Sequence, residues 1–190
     1  MTYLNQPKTY LCLLLIILAL SSCKDDVLPK PKGQLRLEYM APSYILTNTD
    51  CPYQFEYSTD AIAETNHKCW MNIKYPKLNA TINLTYRPID DNLKELFVEA
   101  EKLTFNHAIK ADGISSVPYE NSSKKLYGSI YQVTGNAASP IQFHVTDSVK
   151  NFITGAVYFN IQPNYDSIVP AINYLHQDVI HLIESLEWKK

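Results

Sequence analysis

Residues 126–161, LYGSIYQVTGNAASPIQFHVTDSVKNFITGAVYFNI, decide the fold. Leu126 to Val133, Ile141 to Val145 and Phe152 to Ile161 are rich in β-branched and aromatic residues and read as three strands. Thr134-Gly135-Asn136 separates the first two, and Thr146-Asp147-Ser148 the second two. Links this short are of hairpin type, whereas parallel neighbours need a long crossover, so the pairing is antiparallel.

The same alternation recurs upstream. Leu35-Arg36-Leu37-Glu38-Tyr39 reads as a strand, and so does the run in which Tyr53, Phe55 and Tyr57 alternate with Gln54 and Glu56. Trp70 to Tyr75 and Ala80 to Tyr86 continue it; in the latter, Ala80, Ile82, Leu84 and Tyr86 face one way and Thr81, Asn83 and Thr85 the other. Asp90-Asp91-Asn92 then offers helix caps. Leu93, Leu96, Phe97, Ala100 and Leu103 recur at helical spacing, which predicts an amphipathic helix to about Ala108, ended by Asp112-Gly113. A last helix opens at Asn164 to Ser167, with Pro170 in its first turn and a stripe of Ile168, Ile172, Leu175, Val179, Leu182, Ile183 and Leu186. Strands, helix, strands, helix is the order of an α+β fold: a mainly antiparallel sheet packed with two long helices. At the level of fold it is similar to the Mog1/PsbP-like sandwich.

The N-terminus carries an address. Lys8 precedes an eleven-residue apolar run, Tyr10 to Leu20, too short to span a bilayer but of signal-peptide length. Leu20-Ser21-Ser22-Cys23 resembles the lipobox of bacterial lipoproteins, in which the cysteine is acylated and becomes the new N-terminus. The expected organisation is a removed signal peptide over 1–22, a flexible tether over 23–33 and one globular domain over 34–190. Pro29, Pro31 and Gly33 keep the tether extended. Two or more acyl chains anchor stably where one does not, so the membrane lipid is reached through Cys23. Lys24 is not the aspartate that in many bacteria retains lipoproteins at the inner membrane, which favours the outer membrane. Lys24-Asp25-Asp26 looks like the tag that sends some Bacteroidetes lipoproteins to the cell surface, and reads equally as a charged spacer; the periplasmic face and the cell surface both stand.

Of 190 residues, 17 are Lys or Arg and 19 Asp or Glu. Removing the signal takes only Lys8 and leaves a formal charge of −3, with no basic run to track phosphates; nucleic acid is not an expected partner. With Cys12 in the signal and Cys23 at the lipid, Cys51 and Cys69 remain. An exported chain favours a disulfide between them. The competing reading is a metal site that includes His67, for which the sequence supplies no further ligand pair.

Catalytic patterns are thin. His176 and His181 stand five apart and turn away from each other on a helix, unlike the i, i+4 pair of a zinc helix. His144, Asp147 and Ser148 contain the residue types of a nucleophilic triad, but no Gly-x-Ser-x-Gly elbow is present, and Asp147 and Ser148 fit a backbone-bonding turn better. No cofactor cradle is visible, and no enzymatic activity is expected. Asp147-Ser148-Val149 and Asp166-Ser167-Ile168 resemble the Asp-Ser/Thr-aliphatic sites of Bacteroidetes O-glycosylation, which makes Ser148 and Ser167 candidate attachment points; a turn and a helix cap explain the same residues.

Three stretches together carry a family resemblance: Cys23 to Lys32 followed by Leu35 to Tyr39; Trp70-Met71-Asn72-Ile73-Lys74-Tyr75-Pro76 running into Ile82 to Tyr86; and Phe143-His144-Val145-Thr146-Asp147-Ser148 through Gly155 to Asn160 and on to Asp166-Ser167. Over essentially its whole length the chain resembles the gliding-motility lipoprotein GldD family of Bacteroidetes. The resemblance implies a non-enzymatic envelope lipoprotein, without a cofactor, required for gliding and for the linked type IX secretion machinery, whose protein components would be its partners. Only Cys23 inherits a role from it. The alternative is a module binding envelope glycan or lipid, with Tyr53, Tyr57, Tyr75, Tyr86, Tyr127 and Tyr131 as stacking faces; an open aromatic-lined cleft would favour it.

Overall fold

The strands between Leu126 and Phe159 form a meander whose last member returns to the middle of a larger sheet. The computed structural model describes residues 33, 39, 41–106, 111–160 and 164–189. Cys23, the signal segment, the tether before Gly33 and the strand expected at Leu35–Tyr39, apart from Tyr39 itself, lie outside the described residues.

The elements in chain order are β1 (Tyr44–Leu46), β2 (Tyr53–Gln54), β3 (Glu56–Ser58), β4 (Ile62–Thr65), β5 (Met71–Tyr75), β6 (Ala80–Pro88), α1 (Leu93–Asn106), β7 (Ala111–Asn121), β8 (Leu126–Gly135), β9 (Ile141–Thr146), β10 (Asn151–Phe159), α2 (Tyr165–Ser185) and β11 (Glu187–Trp188). Seven strands make one sheet in the order β4-β5-β6-β10-β9-β8-β7, and two-stranded ribbons pair β1 with β3 and β2 with β11. Every pairing is antiparallel. The fold is α+β, as the strand-and-helix order predicts. β4-β5-β6 and β7-β8-β9-β10 are two meanders joined by α1, and β6 meets β10 along the seam between them.

The register gives the sheet two different faces. Ile73, Ile82, Leu84, Ile141, Phe143, Val145, Ile153 and Val157 point to one side and share a core with Ile168, Ile172, Leu175, Val179, Leu182 and Ile183 of α2. The stripe expected for the terminal helix is therefore the stripe that is buried. Gly155 lies under the Phe143 ring, where an added Cβ would sit 2.2 Å from the nearest ring carbon, so that position admits no side chain. The opposite face carries a smaller cluster in which Leu96 and Ala100 of α1 cover Phe152, with Leu93 and Phe97 alongside.

Several elements differ from the sequence reading. β4 and β7 are the two edges of the sheet, and neither shows in the apolar pattern, because an edge strand has half its surroundings in water: Ile62 and Val117 are exposed while Ser115, Ser116 and Pro118 run through β7. Helix α1 is described to Asn106, and the end expected at about Ala108 lies outside the described residues; Asp112-Gly113 falls inside β7 at a register shift rather than serving as the helix stop. The expected single strand Tyr53–Tyr57 is two, because β2 and β3 take different partners and the chain changes ribbon at Phe55, whose N–H donates to Thr47 Oγ1 (3.1 Å). Pro170 sits one turn further into the last helix than expected, since α2 begins at Tyr165.

Two ties hold the N-terminal ribbons to this frame. Asp178 of α2 is 4% exposed and accepts hydrogen bonds from the hydroxyls of Tyr44 and Tyr75, each 2.9 Å. Burial raises its carboxyl above the usual range despite those two donors and nearby His181. Cys51 and Cys69 are joined by a disulfide across 18 residues of sequence, and the Tyr53 hydroxyl donates to the Cys69 carbonyl (2.6 Å). The metal reading of this cysteine pair is thereby replaced: both sulfurs are consumed. His67 is exposed in the β4–β5 turn.

A loop of this size constrains the unfolded chain by about 3 kcal/mol. Reduction, or Cys51→Ala with Cys69→Ala, is expected to lower the urea-unfolding free energy by about that amount without changing the circular dichroism of the folded state. An unchanged midpoint would show the bridge to be thermodynamically idle.

Candidate functional site: the polar face of the central strands

β9 is buried at all six positions, although only alternate residues are apolar. Ile141, Phe143 and Val145 point to the α2 core. Gln142, His144 and Thr146 point to the other face, where α1 and its flanking chain cover them. Three polar side chains are thus drawn into the interior because their strand is central in the sheet, and each has a different fate.

Thr146 is fully used. Its hydroxyl donates to the Asn151 carbonyl (2.7 Å) and accepts the Ser148 N–H (2.9 Å). This organises the turn in which Asp147 Oδ1 accepts the N–H groups of Val149, Lys150 and Asn151 at 2.9, 2.7 and 2.9 Å, and Oδ2 accepts Asn151 Nδ2 at 2.7 Å. Partial burial works to raise the Asp147 carboxyl, but these donors outweigh it and hold it below the usual range. Ser148 has φ of 65° and stands exposed at the tip. The residue types of a triad are adjacent in sequence, yet Asp147 spends its oxygens on backbone and His144 packs among aromatic rings. The turn reading of Thr146-Asp147-Ser148 is the one the geometry supports.

His144 is 5% exposed and enclosed by rings: Phe97 edge-on with centroids 5.2 Å apart, Phe152 parallel at 5.9 Å and Tyr131 tilted at 5.8 Å. Burial pushes its imidazole down to about 4, so the ring is neutral at physiological pH. Its Nδ1 has no hydrogen-bond partner. Gln142, also 5% exposed, accepts the Thr104 hydroxyl on Oε1 (3.2 Å), while its Nε2 has none. Beside them lies a cavity of about 200 Å³ between α1 and the sheet, lined also by Asn83, Thr85, Thr154 and Leu103. Leu103, expected in the buried stripe of α1, is 49% exposed at the rim of this space, while its neighbour Thr104 is buried against Gln142.

The remaining candidates are dispersed. Ser167 donates to the Asn164 carbonyl (2.9 Å) in the first turn of α2 and is half-buried, so of the two Asp-Ser motifs only the one at Ser148 presents its serine on the surface. His181 Nε2 lies 2.8 Å from Glu56 and stacks on Tyr44; His176 is half-buried on α2, and His107 lies outside the described residues. Among the described residues no group of His, Cys, Asp and Glu is arranged to hold a metal ion, and no helix is long and apolar enough to cross a membrane. Of the tyrosines considered as stacking faces, Tyr53 and Tyr75 are core residues and Tyr131 borders the cavity. Sequence reasoning passed over Gln142; the signal was available in the glutamine–histidine alternation on a strand with turns at both ends, which marks a polar row on a central strand.

An α+β domain with a disulfide-tied ribbon is the kind of body expected behind the lipobox-like Leu20-Ser21-Ser22-Cys23 of an exported lipoprotein. The chain matches the gliding motility lipoprotein GldD family over residues 24–188, and it belongs to that family. No curated protein matches it. Membership makes it a membrane-anchored lipoprotein of gliding motility.

The low basicity of His144 predicts a pH dependence. Its folded value, about 4, lies below the ordinary 6.5 of the unfolded chain. Its contribution is therefore complete above 6.5 and is lost as pH falls towards 4, at up to roughly 1.4 kcal/mol per pH unit. Urea unfolding of wild type and His144→Phe at pH 7 and pH 4.5 is expected to show a steeper loss in wild type. Parallel losses would mean that the ring titrates normally.

Proposed function

We propose that this lipoprotein is a non-enzymatic assembly component of the gliding apparatus and of the linked type IX secretion machinery, held at the outer membrane by acyl chains on Cys23. The observation that carries the reading is the family match, which begins one residue after Cys23 and runs almost to the end of the chain. The lipobox Leu20-Ser21-Ser22-Cys23 supports removal of residues 1–22, and the proline-rich stretch to Gly33 supports an extended tether for the globular body. The engagement of Asp147 in its turn speaks against a hydrolytic role; the partners in this reading are protein components of the machinery.

Deletion is expected to abolish both colony spreading and secretion of type IX cargo, with restoration by the wild-type copy. A Cys23→Ala copy is expected to fail and to lose incorporation of labelled palmitate. Normal spreading and secretion in the deletion strain would refute the assignment.

The exposed Ser148, within Asp-Ser-Val, is our candidate for O-glycan attachment, ahead of Ser167, whose hydroxyl is engaged. Intact-mass measurement of the native protein is expected to show a glycan increment that disappears in Ser148→Ala and persists in Ser167→Ala. An unmodified wild-type mass would remove the idea.

A further inference from the structure

We propose that one end of the sheet docks on an anionic phospholipid surface, with Lys124, Lys125, Lys150 and Lys189 against headgroup phosphates and Val149 and Trp188 at the interface. The inference rests on the membrane anchoring of the family and not on a role in secretion. The sequence holds no basic run, but the fold assembles a basic patch from three separate stretches. Tyr127 lies opposite Thr146, and Thr146 opposite Phe152, which sets the β7–β8 turn beside the β9–β10 turn. Trp188 of β11 joins them, its Nε1–H donating to the Lys125 carbonyl (3.1 Å). All four lysines line one cleft together with Val149 and Trp188.

The charge of this end opposes that of the chain. Four lysines meet two carboxylates there, Asp147 and Glu187, a formal balance of +2 (4 − 2) in a chain of −2. Asp147 turns both oxygens to N–H groups of its own turn. Lys74, Lys77 and Arg87, elsewhere on the molecule, pair with Glu64, Asp60 and Glu99. In the patch, Lys125 and Lys150 stand exposed, Lys189 donates to the Thr49 carbonyl, and Lys124 donates to the Glu184 carbonyl (2.8 Å) with Glu187 at 4.0 Å. Val149 is the second ground. It is 68% exposed, more than any other large apolar side chain among the described residues, and Asp147 fixes the turn that holds it out. An apolar side chain held between cations and beside an indole suits the headgroup layer, where ammonium groups meet phosphate and aromatic rings favour the boundary. Sixteen residues (39 − 23) lead from Cys23 to Tyr39, at most about 55 Å of chain, so an acylated Cys23 keeps the body near the bilayer and lets any face of a domain this size reach it. The tether permits contact, and the patch selects the face.

The test is co-sedimentation of the chain 23–190, carrying Cys23→Ser so that no acyl group contributes, with vesicles of phosphatidylglycerol or of phosphatidylcholine at low salt. Leaving out the acyl group separates this outcome from the Cys23 assignment. A glycan on Ser148 would stand at the same tip, so the protein is recombinant and unmodified. Binding is expected to phosphatidylglycerol only, and is expected to fall as salt is raised. Each lysine at an anionic surface is worth roughly fivefold in partition, so Lys125→Gln with Lys150→Gln is expected to weaken binding about thirtyfold. Lys74→Gln with Lys77→Gln removes the same charge towards the other end of the sheet, where Ala80 faces Phe159, and should leave binding nearly unchanged. With Trp70→Phe, Trp188 is the only indole, and nitroxide-labelled headgroups are expected to quench it on phosphatidylglycerol vesicles. Absence of binding to phosphatidylglycerol by folded protein, equal binding to both lipids, equal weakening by the two lysine pairs, or an unquenched Trp188 would overturn the proposal and leave the patch to an acidic protein partner.

Discussion

The pairing of β6 with β10 is the constraint on which the rest of the structure depends. Nine residue pairs, from Asn151 opposite Pro88 to Phe159 opposite Ala80, join the two meanders through strands that α1 and β7 to β9 separate in sequence. Local hairpins build each half, but neither half encloses a core alone: β4-β5-β6 has no partner on its inner edge, and β7-β8-β9-β10 exposes β10. Closing the seam satisfies both rows of backbone groups and brings Ile82 and Leu84 level with Val157 and Gly155, so that α2 can lie across one continuous apolar surface. A contact this distant in sequence forms late relative to hairpins, because loop entropy must first be overcome.

The seam also creates the polar face. Once β10 sits between β6 and β9, the residues alternating with the core set, Thr85, Thr154, Gln142 and His144, fall into one patch on the far side. Helix α1, which must run from the end of β6 to the start of β7, crosses that side and covers only part of it. Leu96 and Ala100 of the helix pack on Phe152, and the cavity lies further along, with Ala100, Leu103 and Thr104 in its wall. Gln142 and His144 lie buried beside that space, on the face of β9 opposite the α2 core.

The two sides of the molecule therefore divide the work. The α2 side is filled and apolar, tied by Asp178 to Tyr44 and Tyr75 and by the Cys51–Cys69 bridge. The α1 side is polar, partly open and lined by uncharged groups.

The amino-acid sequence by itself determined the N-terminal lipobox motif, the central strands, the terminal helix with its buried stripe, the antiparallel class and the family resemblance. Each of these rests on interactions between near neighbours: an apolar run, a period of two or of 3.6, a link too short for a crossover. Only the tertiary structure decided the edges, because β4 and β7 owe their strand form to a partner rather than to a core and so read as loop. It alone decided that Tyr53–Tyr57 splits between two ribbons. It alone placed Gln142 and His144 in the interior: alternation assigns them to the face opposite Phe143, but whether that face meets water or a helix depends on where α1 crosses, a matter of long-range packing that no window of sequence contains.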